Sequence, residues 1–213
     1  MKRILLFTMM ASFGAFAADK VWTNETGDGN WGTDGNWSDH VAPTASDTGY
    51  TITVSGTSVN NVVGLAPTRL ILTGSSAVNV SGQSLALTGG VQFDATADAT
   101  LALPLVLSGS GQQPFGGSSS KTLNLTGVVS GSGGIEQTGY FALSIQAVNT
   151  FTGGFKQTKG QVKIKTGSAF GSGEVVFTGP QKVGTAYVVP FVVDAVNLTI
   201  AIDIKFASDG YGS

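Results

Sequence analysis

Apolar residues in this chain come in short runs, and most runs close on Ser or Thr followed by Gly. Between Tyr50 and Gly179 the phrase recurs as Val54-Ser55-Gly56, Leu70-Ile71-Leu72-Thr73-Gly74, Leu85-Ala86-Leu87-Thr88-Gly89, Leu105-Val106-Leu107-Ser108-Gly109, Leu123-Asn124-Leu125-Thr126-Gly127 and Val175-Val176-Phe177-Thr178-Gly179, with a looser copy ending at Thr166-Gly167. The intervals between these glycines are 18, 15, 20, 18, 40 and 12 residues, and the long one holds a further apolar strand from Phe141 to Ile145. A strand and a turn recurring at such a period mark a stack of β-units, each burying its apolar face against the next.

Inside the runs apolar and polar residues alternate, as in Tyr50-Thr51-Ile52-Thr53-Val54 and Val162-Lys163-Ile164-Lys165. Alternation of period two sends one side chain inward and the next outward. The pattern predicts interior ladders formed by Leu85, Leu87, Leu105, Leu107, Leu123 and Leu125. Each such leucine, once buried, contributes about 1.5–3 kcal/mol before conformational entropy is subtracted.

An antiparallel sandwich is the alternative arrangement. Its hairpins would favour two-residue Asn-Gly or Asp-Gly turns. Such pairs are scarce beyond residue 50, where Ser, Gly, Gln and Ala connect the strands instead. The reading is therefore an all-β right-handed parallel β-helix (a solenoid) over residues 50–213, with strand-like segments still recurring at Val188–Val193 and Leu198–Ile204.

Residues 18–49 break the pattern. They hold Trp22, Trp31 and Trp37, the three tryptophans of the chain, and the tetrad Asp-Gly-Asn-Trp twice, at Asp28–Trp31 and Asp34–Trp37. Asp-Gly and Gly-Asn pairs mark tight turns. This segment is expected to plug the first end of the stack, because an uncovered sheet edge pairs with other chains. Indole rings can each bury about 150–250 Å² there. The same rings could serve as a sugar-stacking platform, so Trp22, Trp31 and Trp37 are also weak ligand-binding candidates.

Residues 1–17 have the form of a secretory signal peptide. They show a basic start at Lys2-Arg3, an apolar run from Ile4 to Phe16 and the cleavage pattern Ala15-Phe16-Ala17. The run is too short to span a bilayer. Cleavage after Ala17 leaves a mature chain without a transmembrane segment, either secreted or held at the cell surface. Removing Lys2 and Arg3 from 11 basic residues leaves 9 against 13 acidic ones. That acidic balance argues against nucleic acid and anionic headgroups as partners. The chain has no cysteine, so neither a disulfide framework nor a thiolate metal site can hold it together.

One stretch resembles a known family closely. It runs Gly131-Ser132-Gly133-Gly134-Ile135-Glu136-Gln137-Thr138-Gly139, then Leu143-Ser144-Ile145, then Asn149-Thr150-Phe151-Thr152-Gly153-Gly154, then Gly160-Gln161-Val162 and Ala169-Phe170-Gly171-Ser172-Gly173. This is similar to the autotransporter-associated β-strand repeat, also called the passenger-associated transport repeat, over residues 127–173. Gln137 stands where the family usually has Lys, and Phe155 where it has Thr. The resemblance implies a bacterial, outer-membrane-associated passenger domain of β-helical form, acting as an adhesin toward host or cell-surface glycans or proteins, and transfers no catalytic residue. Family members are often long and end in a membrane barrel or sorting tail. No succession of alternating strands such as a barrel needs is present here, so a separate or missing anchoring element is expected and truncation at the C-terminus is one reading.

Candidate chemistry is sparse. His40 lies near Asp39 and Asp47 but lacks a nucleophile, and no Gly-x-Ser-x-Gly turn is present. Polysaccharide hydrolases bring paired carboxylates onto one face, whereas Asp94, Asp98, Glu136, Glu174, Asp194 and Asp203 are spread along the repeats. Asp28, Asn30, Asp34 and Asn36 offer oxygens at two-residue spacing, loosely like a calcium loop, but no Glu closes the loop at its twelfth position. Asx turns that set Trp31 and Trp37 are the simpler account. Lys156, Lys159, Lys163 and Lys165 read as a solvated face. The expected function is non-enzymatic, with no cofactor and no metal. Carbohydrate binding through the Trp-rich segment is the alternative, and a polysaccharide-active enzyme comes after it.

Overall fold

The computed structural model describes residues 19–178, 181–183, 186–188, 190–195 and 198–207. The expected signal peptide, residues 1–17, and the last residues, Asp209–Ser213, lie outside them. The architecture is an all-β parallel solenoid. After β1 (Lys20–Val21) in the N-terminal segment, the first coil carries β2 (Thr51–Ser55) and β3 (Thr57–Asn60). Three coils of three strands follow: β4 (Arg69–Thr73), β5 (Val78–Gly82) and β6 (Leu85–Leu87); β7 (Val91–Phe93), β8 (Ala99–Leu101) and β9 (Leu105–Leu107); β10 (Gln112–Gly116), β11 (Thr122–Leu125) and β12 (Val129–Ser130). Next come β13 (Gly134–Gln137) with β14 (Ala142–Ile145), and β15 (Phe155–Gln157) with β16 (Gln161–Ile164). The last described strands are β17 (Val175–Thr178), β18 (Gln181–Val183), β19 (Ala186–Val188), β20 (Phe191–Val193) and β21 (Ile204–Ala207).

The strands stack into a nine-stranded, a seven-stranded and a three-stranded sheet, here the first, second and third faces. On the first face Ile52 pairs with Leu70, Leu70 with Val91 and Val91 with Phe115, so successive coils there take 18, 21 and 24 residues. All strand pairs within the three faces are parallel; β18 and β19 form a separate antiparallel pair. The sandwich alternative is thereby set aside.

One expectation about the interior needs correction. Leu105 stacks on Leu85 and Leu107 on Leu87, as the ladders require. Leu123 and Leu125 do not continue that column. They sit on the second face, over Ala99 and Leu101 and under Leu143 and Ile145. The glycine phrase is a strand ending that recurs on all three faces, whereas the coil itself is longer than the phrase. The inward alternation does hold, since Ile52, Val54, Leu85, Leu105, Leu125, Ile145, Val162 and Ile164 are all buried.

Two buried amides link neighbouring coils through side-chain bonds. Beyond β12 the third face has no strand among the described residues, and Asn149 stands in its place. Its Oδ1 accepts from Val129 N at 2.7 Å, and its Nδ2 donates to Ala169 O at 2.7 Å. One side chain thus ties three successive coils. Gln113, only 4% exposed, acts alike at another corner. Its Oε1 accepts from Gly90 N at 3.0 Å, and its Nε2 donates to Leu87 O and Ser108 O. Burying an amide is tolerable only with such partners.

The glycines of the Gly-Ser-Gly-Gly and Thr-Gly-Gly stretches form a tight column. A Cβ on Gly134 would overlap the carbonyl oxygens of Gly153 and Gly154, one on Gly153 the backbone of Gly133 and Gly134, and one on Gly173 the backbone of Gly154. Bonds from Gly134 N to Gly111 O, Gly153 N to Gly133 O and Ile135 N to Gly154 O fasten this corner. The motif therefore marks where neighbouring coils approach more closely than any side chain allows.

Candidate functional site

The N-terminal segment, which carries the weak ligand-binding candidates Trp22, Trp31 and Trp37, forms a lid on the first coil. β1 pairs in parallel with β2, and Asn30 bridges to Val59, so the segment covers the starting edges of the first and second faces. Trp22, Trp31 and Trp37 point inward, 3%, 0% and 0% exposed. Trp37 meets Trp22 edge-on at 5.4 Å and Trp31 at 5.8 Å between ring centroids, and its Nε1 donates to Trp31 O at 2.7 Å. Stacking on a sugar needs an open ring face, and these rings have none. Their placement matches the capping role.

The polar residues between them hold the turns. Asp28 Oδ1 accepts from Asn30 N at 2.9 Å and Asn36 Nδ2 at 2.6 Å, while its Oδ2 accepts from Thr33 Oγ1 at 2.7 Å. Asn36, fully buried, accepts from Thr26 N and Thr26 Oγ1 and donates to Asn30 O. Asp34 turns away to accept from Ala42 N at 2.8 Å. The loosely calcium-like oxygens are thus distributed over separate internal donors, and the described residues contain no group of three or more His, Asp or Glu able to hold a metal ion.

The donors around Asp28, led by the Asn30 backbone, lower its pKa from 3.8 to about 2. A carboxyl with a depressed folded pKa adds stability above its unfolded pKa and loses it as pH falls through the folded value. The lid is therefore expected to loosen between about pH 4 and pH 2 in the wild-type protein, as a shift of tryptophan fluorescence toward exposed indole. In Asp28→Asn that pH-dependent part should vanish, and an unchanged profile would refute the assignment.

Lys20 fastens the lid from the side. Its ammonium is nearly buried and donates to Asp39 Oδ2 at 2.6 Å and Val41 O at 3.0 Å. Burial works against the Asp39 carboxylate, but the bond from Lys20 prevails and holds its pKa below the usual range. Asp39 is thus engaged by Lys20, and Asp47 accepts from Thr44 N. Exposed His40 sits at φ 53° with its N–H bonded to Trp37 O.

Five acids along the coils are held by separate partners. Asp94 accepts from Gln92 and Ser118, Asp98 from Thr122 N, and Glu136 pairs with Lys156 at 2.9 Å. Glu174 pairs with Lys205, and Lys165 lies 3.9 Å from Asp194. Partial burial raises the Asp94 pKa, yet its hydrogen bonds outweigh that and leave it below the ordinary value. The lysine run divides as expected: Val162 and Ile164 point inward, and Lys163 and Lys165 outward.

Two surface features escaped the sequence reading. Tyr140 stands 58% exposed at the turn into β14, with the Lys159 ammonium 4.9 Å from its ring centroid. The outward residues Thr57, Asn79, Thr100 and Asn124 of the second face form a polar row that continues in register through buried Ser144 to Lys163, visible in sequence only as the polar half of each alternation. No helix among the described residues is long and apolar enough to cross a membrane. Comparison with protein-family models, with curated proteins and with solved structures returns no match.

Proposed function

We propose that the chain is a non-enzymatic module, exported and displayed on or shed from a cell surface, where it serves as an adhesive or structural rod. The observation that carries this reading is the engagement of the carboxylates. Across the stacked coils Asp94, Asp98, Glu136 and Glu174 each bond a different partner. Acid–base cleavage of a polysaccharide needs two carboxyls at one bond. The parallel stack supports a geometric role, because it holds outward side chains in fixed rows. The Lys2–Ala17 leader pattern supports export. Carbohydrate binding through the tryptophans loses its support, because their rings are enclosed.

The test is retention of latex beads coated with mature protein on cell layers and on glycan- or protein-coated plates, against beads bearing an inert protein. The reading expects selective retention without turnover of the surface polymer. Release of reducing sugar by purified protein, abolished by one carboxylate substitution, would replace it with an enzyme.

A further inference from the structure

The turns that join the first face to the second differ in length from coil to coil. Four residues, 138–141, lead from β13 to β14, and three, 158–160, lead from β15 to β16. Twelve residues, 179–190, lead from β17 to β20 and contain the β18–β19 hairpin. Strand β15 stacks between β13 and β17, and β16 between β14 and β20, so the shortest turn lies between the two longer ones. This leaves a recess that crosses the corner from the first face to the second.

Lys159 lies on the floor of the recess and Tyr140 stands at one side. The Lys159 ammonium is 4.9 Å from the centroid of the Tyr140 ring, which is 58% exposed. Lys163 faces outward on β16, opposite Ser144, where the recess meets the second face. Among the described residues Lys156, Lys165 and Lys205 each lie within ion-pair reach of a carboxylate, and Lys159 and Lys163 do not. The surroundings add to this local charge. From Lys121 onward the chain holds seven basic and five acidic residues, whereas Ala18 to Ser120 holds two basic and eight acidic. The turn itself is fixed, since Thr158 Oγ1 and Lys159 N both donate to Gln137 O, and buried Gln157 donates to Gly160 O. A partner finding groups held this way avoids part of the ordering cost of binding.

Two unpaired ammoniums beside an exposed ring call for an anion, and the setting narrows its kind. Nucleic acid carries about one charge per 1.7 Å and needs many cations at once. An extended peptide adds to a sheet edge through its backbone, but the N–H groups of Thr158, Lys159 and Gln161 are already bonded to Gln137 O and Phe141 O. A polysaccharide of uronic acids carries at most one carboxylate per sugar, so a few lysines suffice, and its C–H ring faces pack on a phenol. We propose that the recess binds a linear uronate polysaccharide crossing the corner. One carboxylate pairs with Lys159 Nζ and another, further along the polymer, with Lys163 Nζ. A sugar ring packs against the part of the Tyr140 ring that the ammonium leaves open. The inference deepens the adhesion reading above and rests on it. Single contacts at an exposed site are weak, and affinity accumulates along the polymer.

The experiment is biolayer interferometry of the mature protein over polygalacturonate or alginate tethered by the reducing end. Sensors with the same polymers after reduction of their carboxyls to alcohols, with heparin and with polyglutamate run beside them. Binding is expected on at least one uronate sensor, and its carboxyl-reduced form should bind at least about tenfold more weakly. Tyr140→Ala and Lys159→Gln should each weaken uronate binding about tenfold or more. Lys205→Gln, which changes the charge equally outside the recess, should leave it unchanged. Circular dichroism and melting temperature should match the wild type in each variant, and Lys163→Gln replaces Lys159→Gln if the latter unfolds. Uronate binding that Tyr140→Ala and the lysine variant both retain, equal binding to a carboxyl-reduced polymer or to polyglutamate, binding to heparin alone, or none to either uronate would each overturn the proposal. If no uronate binds while coated beads still adhere to cell layers, the adhesion reading stands without this site; beads that adhere nowhere remove both.

Discussion

Gly153→Ala is expected to cost at least about 3 kcal/mol of stability, enough to unfold much of the protein near body temperature. The added Cβ would run into the backbone of Gly133 and Gly134 one coil below. Backbone cannot rotate aside as a side chain can, so the two coils must separate or shift register. Gly29→Ala provides the contrast. Gly29 lies at φ 76° with open space around its Cβ position, so alanine there meets only the left-handed backbone penalty of about 1–2 kcal/mol. Urea denaturation followed by circular dichroism should separate the two variants clearly. Equal losses would mean that the close approach of coils at this corner has been misread.

Trp37→Ala is the second large effect, with an expected loss of about 3–5 kcal/mol. The substitution empties the centre of the lid, where Trp37 meets Trp22 and Trp31 and donates to Trp31 O. Because stacked coils contact only their neighbours, the damage should be local. Amide exchange is expected to rise first in β2 and β3, under the lid, while β14 and β16 keep their protection. Uniform acceleration along the whole chain would show that the lid does not guard one end. Val148→Ala, at a 59% exposed loop position, should change stability by no more than about 0.5 kcal/mol.

Much of the architecture was readable from the residues. Alternation at Ile52 and Val54, or at Val162 and Ile164, set the inward side of each strand, and the scarcity of hairpin pairs beyond residue 50 favoured parallel stacking. The coil length was not readable, because the Leu-x-Leu-Thr/Ser-Gly phrase ends strands on any face. Leu105 and Leu123 look like consecutive rungs in sequence, yet they belong to different faces of successive coils.

The lid was recognisable for a physical reason: three large rings among turn residues have to bury somewhere, and a stack has few places for them. The work of Asn149 and Gln113 was invisible, since nothing local separates a buried amide bonding three coils from an exposed one. Tyr140 was equally obscure. It precedes inward-facing Phe141, and only the path of the turn decides which ring reaches solvent.

Neighbouring coils lie parallel and in register, and the cysteine-free chain permits a direct measurement of that arrangement. Thr100, Asn124 and Ser144 occupy one row on successive strands. Adjacent strands bring Cα atoms within disulfide range, whereas strands two coils apart do not. Under mild oxidation the pairs Thr100→Cys with Asn124→Cys, and Asn124→Cys with Ser144→Cys, should each form an intramolecular disulfide, while Thr100→Cys with Ser144→Cys should stay reduced. Failure of both adjacent pairs, or ready closure of the Thr100–Ser144 pair, would contradict the solenoid.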